Sequence, residues 1–128
     1  MRIPTKTLAV CLALTITSAA QSGVYDCQSD AMMRAGKLLK LHWESEGSLL
    51  ADQPGAPTED GSLMAWSLDD KAVELPAVKA PVGAGMFDVL EVNGYVYKAT
   101  YRMRFIYAQI PDACVLMGQE MIELADPY

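Results

Sequence analysis

A single histidine, His42, limits the chemistry this chain can carry. A serine or cysteine nucleophile would need it as general base, and the Gly-x-Ser-x-Gly turn that presents a nucleophilic serine is missing from the sequence. One histidine also excludes a histidine cluster for zinc, so His42 is expected as a surface or rim residue beside Trp43. The carboxylates of Asp69-Asp70, Glu59-Asp60 and Glu44 with Glu46 have the composition for acid and base work on a glycosidic bond. They fall in segments that read as solvated loops, without the apolar surroundings that raise a carboxyl pKa. Gly83-Ala84-Gly85 lacks the Lys-Ser or Lys-Thr that follows a phosphate loop and reads as a flexible connection. Thioethers bind cuprous copper, but most of Met32, Met33, Met64, Met86, Met103, Met117 and Met121 fall on apolar faces, where packing is their expected role. No catalytic residue, no metal ligand and no cofactor is assigned.

Binding chemistry is better represented. Lys98, Arg102 and Arg104 place three of the eight basic residues beyond residue 20 on one short stretch of an acidic protein, a pattern suited to an acidic partner. The competing reading pairs them with Glu91 and with Glu120 or Glu123 on neighbouring strands. Tyr95, Tyr97, Tyr101 and Tyr107 form a row that serves either as a stacking platform for a sugar or peptide or as core, and core is the favoured reading.

The elements that must position these residues follow from periodicity. Asn93-Gly94 between two strand-like runs predicts a hairpin over residues 86–107 with a two-residue turn, pairing Val92 with Tyr95, Leu90 with Tyr97, Asp88 with Ala99 and Met86 with Tyr101. Met103, Phe105 and Tyr107 continue the apolar face, and Lys98, Thr100, Arg102 and Arg104 with Glu91 occupy the other. After a turn at residues 109–112, residues 113–124 read as a last strand with Cys114 at its start and Gly118 as a bulge. Toward the N-terminus, Ser29-Asp30 caps a predicted helix with Met32, Ala35, Leu39 and Trp43 on one face. Leu39, Leu41 and Trp43 also alternate, so a short helix ended by Gly36 and followed by a strand fits as well. Residues 51–61 read as a surface loop, residues 62–68 as a short strand, Asp69-Asp70 as a turn, and the stretch containing Pro76 and Pro81 as an irregular or edge segment. Together these predict an α+β fold, with an N-terminal helix packed on a small antiparallel sheet ending in a C-terminal β-meander. An all-β small sandwich or barrel is the alternative.

The first residues carry an export pattern. Arg2 and Lys6 precede an apolar stretch over residues 8–16 and a small-residue exit at Ser18-Ala19-Ala20, the layout of a signal peptide cut after Ala20. The stretch is about half the roughly twenty residues needed to cross a bilayer. Lipidation at Cys11 is disfavoured because bulky Val10 precedes it. Residues 1–20 are therefore expected to leave, and residues 21–128 to form one exported domain, periplasmic or extracellular, with no membrane span and no internal repeat. Removal takes Arg2, Lys6 and Cys11 but none of the 16 acidic residues, carrying the formal charge from −6 to −8. Such a surface disfavours nucleic acid as a partner.

Two cysteines remain, Cys27 and Cys114, and in an oxidising compartment they are expected to pair. Size, a disulfide and the missing catalytic clusters predict a small exported non-catalytic binding protein whose partner is a protein or cell-envelope component. An enzyme inhibitor, an immunity factor and an envelope-assembly component are of this kind; a small secreted hydrolase is the alternative. A cross-link between residues so far apart restricts the unfolded chain by about 4–5 kcal/mol in the chain-entropy description. Dithiothreitol added to the folded protein is thus expected to lower its Tm in a thermal melt, and an unchanged Tm refutes the cross-link.

Overall fold

A computed structural model describes residues 26–55 and 58–125; the export signal expected over residues 1–20 lies outside them. The longer of the two N-terminal readings is the one adopted, a helix α1 spanning Gln28–Ser45. Ala31, Ala35 and Leu39 recur at four-residue spacing and are buried, whereas Leu41 is 63% exposed, so the alternation over residues 37–44 does not produce a strand. Ser29-Asp30 does not cap it. Cys27 is the N-cap and contributes no side-chain bond; Asp26 Oδ1 accepts from the Gln28 amide at 3.1 Å instead, and Asp30 lies within the first turn. At the far end Ser48 N donates to Trp43 O and Gly47 N to Glu44 O, with Gly47 at φ +84°, the bonding of a Schellman stop. Gly36 weakens the helix but lets another residue in: a Cβ there would lie 3.2 Å from the Trp66 ring.

Among the described residues five antiparallel strands form one open sheet: β1 (Trp66–Leu68), β2 (Val73–Lys79), β3 (Met86–Val96), β4 (Ala99–Ala108) and β5 (Leu116–Ala125). β1 and β2 share one edge of β3 at its two ends, and β4 then β5 follow on the other side, so β3, β4 and β5 are consecutive neighbours. β1 falls within the short strand expected over residues 62–68 and β2 is the segment containing Pro76, and both pair with β3 to widen the sheet beyond the meander. Among the described strands neither edge meets the other, and the chain does not close into the barrel of the alternative reading. The Pro76 segment is an edge strand as expected, with a register shift between Leu75 and Val78 where proline removes a donor. On β5 the shift between Ile106 and Tyr107 leaves Met117 as the extra residue, next to Gly118, which itself stays paired with Ile106. Cys114 precedes β5 by two residues.

The hairpin departs from its predicted turn. Val96 pairs with Ala99, so the chain reverses at Tyr97 and Lys98, and Asn93 and Gly94 lie inside β3 opposite Arg102 and Tyr101. Gly94 is needed for closeness rather than for turning. A Cβ there would sit 2.8 Å from Met103 Cε, 3.2 Å from Leu39 Cδ2 and 3.4 Å from Leu68 Cδ2, since helix, β1 and β4 converge over this spot. Tyr97 takes the left-handed backbone conformation instead, at φ +54°.

The shorter strand changes the tyrosine row. Tyr101 and Tyr107 are buried, with Met103 and Phe105 between them, under α1; Tyr95 and Tyr97 are exposed and do not belong to the core. Leu90, Val92 and Val96 complete that face from β3. Cys27 and Cys114 are joined, Cα to Cα 5.7 Å, linking the start of α1 to the approach to β5. Two substitutions separate the two roles for the hairpin. Gly94→Ala is expected to cost about 1–3 kcal/mol by overpacking, while Tyr97→Asn, which tolerates the left-handed conformation, keeps or raises stability. Urea melts of both variants check this; a neutral Gly94→Ala overturns the close-approach explanation.

Candidate functional site

Alternation along β3 and β4 divides the sheet into a face under the helix and a face that no described helix or strand packs against. On the second face cross-strand rows are readable from the register. Leu75, Val89, Ile106 and Gly118 form one row, and Val78, Phe87 and Ala108 the next, so this end is apolar. Val89 is buried here, and Ile106 Cδ1 lies 3.7 Å from where a Gly118 Cβ would be. The following rows are polar: Val73, Glu91, Arg104 and Glu120, then Asn93, Arg102 and Ile122.

Lys98, Arg102 and Arg104 therefore meet different fates. Arg104 is engaged within the sheet, its Nε donating to Glu91 Oε2 at 2.8 Å and its Nη1 lying 3.6 Å from Glu120 Oε1, as the competing reading anticipated. Lys98 sits in the β3–β4 turn with its Nζ 5.4 Å from the centre of the Tyr97 ring. Arg102 forms no ion pair among the described residues. Its Nε, and the Oδ1 of Asn93 directly across the ladder, are shielded from solvent without a hydrogen-bond partner. Unpaired polar atoms of this kind are uncommon in folded proteins and call for an explanation.

His42 is placed at a cleft of about 310 Å³ lined by His42, Trp43, Glu46, Tyr101 and Glu123. Its ring meets Tyr101 edge-on at 5.3 Å between centroids and Trp43 at 6.4 Å; Trp43 and Tyr101 are also 6.4 Å apart and nearly perpendicular. Tyr101 Oη is 3.4 Å from Glu123 Oε1. The last turn of α1 and its C-cap supply three of these residues, β4 the tyrosine and β5 the second glutamate, which a linear reading does not bring together. The sequence signal for them was partial: Trp43 and Tyr101 were visible as apolar positions, but nothing marked Glu123 as facing the helix.

Of the remaining candidates, two carboxylates are engaged in local hydrogen bonds. Asp60 is a turn acceptor for Thr58 Oγ1 and for the Ser62 amide and hydroxyl, bonds that hold its carboxyl down to about 2. Asp69 accepts from Tyr95 Oη at 2.8 Å and from the Asn93 amide at 3.2 Å, tying the end of β1 to β3. Met32, Met64, Met103 and Met121 pack into or against the core, but Met33, Met86 and Met117 are exposed, so packing does not account for all seven. Among the described residues no three His, Cys, Asp or Glu side chains converge as a metal site would require. No described helix is long and apolar enough to cross a membrane.

No family model, curated protein or solved structure matches the chain.

One half-buried network fixes the helix that carries His42 and Trp43 to the sheet. Asp30 Oδ2 accepts from Arg34 Nε at 2.7 Å and from Tyr107 Oη at 2.8 Å, bridging the first turn of α1 to the core face at the end of β4. Burial pushes the Asp30 carboxyl up, but the bonds from Arg34 and Tyr107 outweigh it and the pKa falls below its ordinary value. Burial, then the Asp30 carboxylate, drives the Tyr107 phenol up. A carboxyl with a depressed folded-state pKa stabilises above the ordinary aspartate value of 3.8 and loses that contribution as the pH falls through the folded value. Asp30→Asn is expected to cost about 1–2 kcal/mol at neutral pH. In denaturant melts against pH the gap to the parent should close in acid, below the ordinary aspartate range. A gap independent of pH refutes the charged bridge.

Proposed function

We propose that this chain is a small exported non-catalytic binding protein that docks a protein partner on the uncovered face of its sheet. The observation carrying the proposal is the composition of that face. An apolar end at Leu75, Val78, Phe87 and Ile106 is followed, beyond the row in which Arg104 is paired with Glu91 and Glu120, by Arg102, a cation without an ion pair among the described residues. The complementary surface is one that presents apolar side chains at one end and a carboxylate toward the other. The α+β arrangement, with the helix on one face of a sheet ending in a β-meander, leaves this face available. A disulfide and the absence of a spanning helix among the described residues fit a protein released from the membrane into an oxidising compartment. An enzyme inhibitor, an immunity factor and an envelope-assembly component all meet this description.

Hydrolysis receives less support. A histidine base needs a hydroxyl or carboxylate at its imidazole, whereas the contacts of the His42 ring among the described residues are with Trp43 and Tyr101. The test is affinity capture of periplasmic or extracellular proteins on residues 21–128 with the disulfide intact, followed by titration of the captured partner. Lys98→Ala with Arg102→Ala is expected to weaken binding about tenfold or more, and Ile106→Glu to abolish it. Arg104 is left in place because its removal strands Glu91 and Glu120. Unchanged affinity in both variants overturns the docking face.

A further inference from the structure

The cleft at the end of α1 differs in chemistry from the outer face, where arginines and glutamates are mixed. Two carboxylates, Glu46 and Glu123, border it together with the rings of His42, Trp43 and Tyr101, and no lysine or arginine lines it. The Glu46 carboxylate has no hydrogen-bond or ion-pair partner among the described residues, and Tyr101 Oη lies 3.4 Å from one oxygen of Glu123. The three rings stand at 88°, 62° and 85° to one another, so they form a corner and not a stack. Aromatic faces attract cations through their quadrupole, most strongly where carboxylates add charge and water is partly excluded. The cleft also lies at the C-terminal end of an 18-residue helix, where the macrodipole is negative. Carboxylates, rings and helix end thus favour one sign of charge.

We propose that this cleft is a binding site for an organic cation, an alkylammonium or guanidinium group of the kind a lysine or arginine side chain or a quaternary amine presents. The cation enters between Glu46 and Glu123 and rests against Trp43, with the buried Tyr101 at the floor of the cleft. Its volume, about 310 Å³, admits such a headgroup but not a folded segment. The site lies on the helix side of the sheet, because Glu123 pairs with Tyr101, so it is separate from the docking face and does not depend on it. Chain-wide acidity alone would attract any cation diffusely, which the experiment must separate from a built site.

The intact protein is titrated with tetramethylammonium chloride and, separately, with methylguanidinium chloride, and the indole N–H resonance of Trp43 is followed by NMR. Sodium chloride at equal ionic strength is the reference. A saturable shift at millimolar probe is expected at Trp43, larger than that of Trp66, and a difference between the two probes tells a quaternary amine site from a guanidinium site. Glu46→Gln with Glu123→Gln should weaken it about tenfold, with the Tm measured alongside to confirm folding. Glu46→Gln alone, at the exposed C-cap of α1, serves if the double variant fails to fold. A response no larger than that to sodium, or one unaltered in the glutamine variants, overturns the proposal.

Discussion

Everything on the helix side of this protein depends on how one helix is held against one face of an open sheet. An 18-residue helix with a buried stripe of two alanines, a glycine and a leucine removes little apolar area, and apolar area is what usually secures a helix. Its attachment is therefore concentrated at its first turn. The Cys27–Cys114 bond ties the N-cap to the approach to β5, and Asp30 bridges Arg34 of the helix to Tyr107 of β4 one turn later. Small residues then do the work that large ones do elsewhere. Gly36 admits the Trp66 ring and Gly94 admits Leu39, so the helix lies close to the sheet along its length. The free end that results, Trp43 to Glu46, overhangs Tyr101 and β5, and the aromatic cleft is the consequence.

An open sheet has two edges to protect. On one side β1 and β2 split the edge of β3 between them, and Pro76 interrupts the row of donors that β2 would present. On the other side β5 has two register shifts, which leave Met117 and Leu124 as unpaired residues, both about half exposed. Bulges twist an edge away from flat pairing, and Glu120 and Glu123 add like charges along the same strand. Both edges are thus blunted by devices that discourage indiscriminate strand addition, and the exposed apolar area that remains for recognition lies on the face of the sheet.

What was legible in the sequence, and what was not, divides along a physical line. Alternation within β4 was read correctly, with Tyr101, Met103, Phe105 and Tyr107 inward and Arg102 and Arg104 outward, because a period of two is carried by each strand regardless of its partner. The turn was misplaced by four residues. That displacement is even, so it preserved the faces of β4 while changing every pairing and moving Tyr95 out of the row. Asn93-Gly94 misled because glycine serves both tight turns and close approaches, and only the converging Leu39, Leu68 and Met103, distant in sequence, tell which. The disulfide was legible from two residual cysteines, the edge strand from Pro76. The cleft was not, since His42, Tyr101 and Glu123 come from three elements whose order in space no local pattern encodes.

The two surfaces illustrate how little separates different chemistries on a thin sheet. On β4 adjacent residues alternate between them: Tyr101 contributes to the acidic, aromatic cleft while Arg102 stands on the other face beside Asn93. On β5 the same division places Glu123 at the cleft and Glu120 against Arg104. Were β5 to slip by one residue against β4, Glu120 would leave Arg104 and Glu123 would leave Tyr101 together. The Cys27–Cys114 bond acts against such a slip, because it fixes the start of β5 relative to the helix that forms the cleft's other wall. The cross-link thus stabilises the fold and also keeps a mixed apolar and charged face and an acidic pocket, one strand's thickness apart, each with its own set of carboxylates.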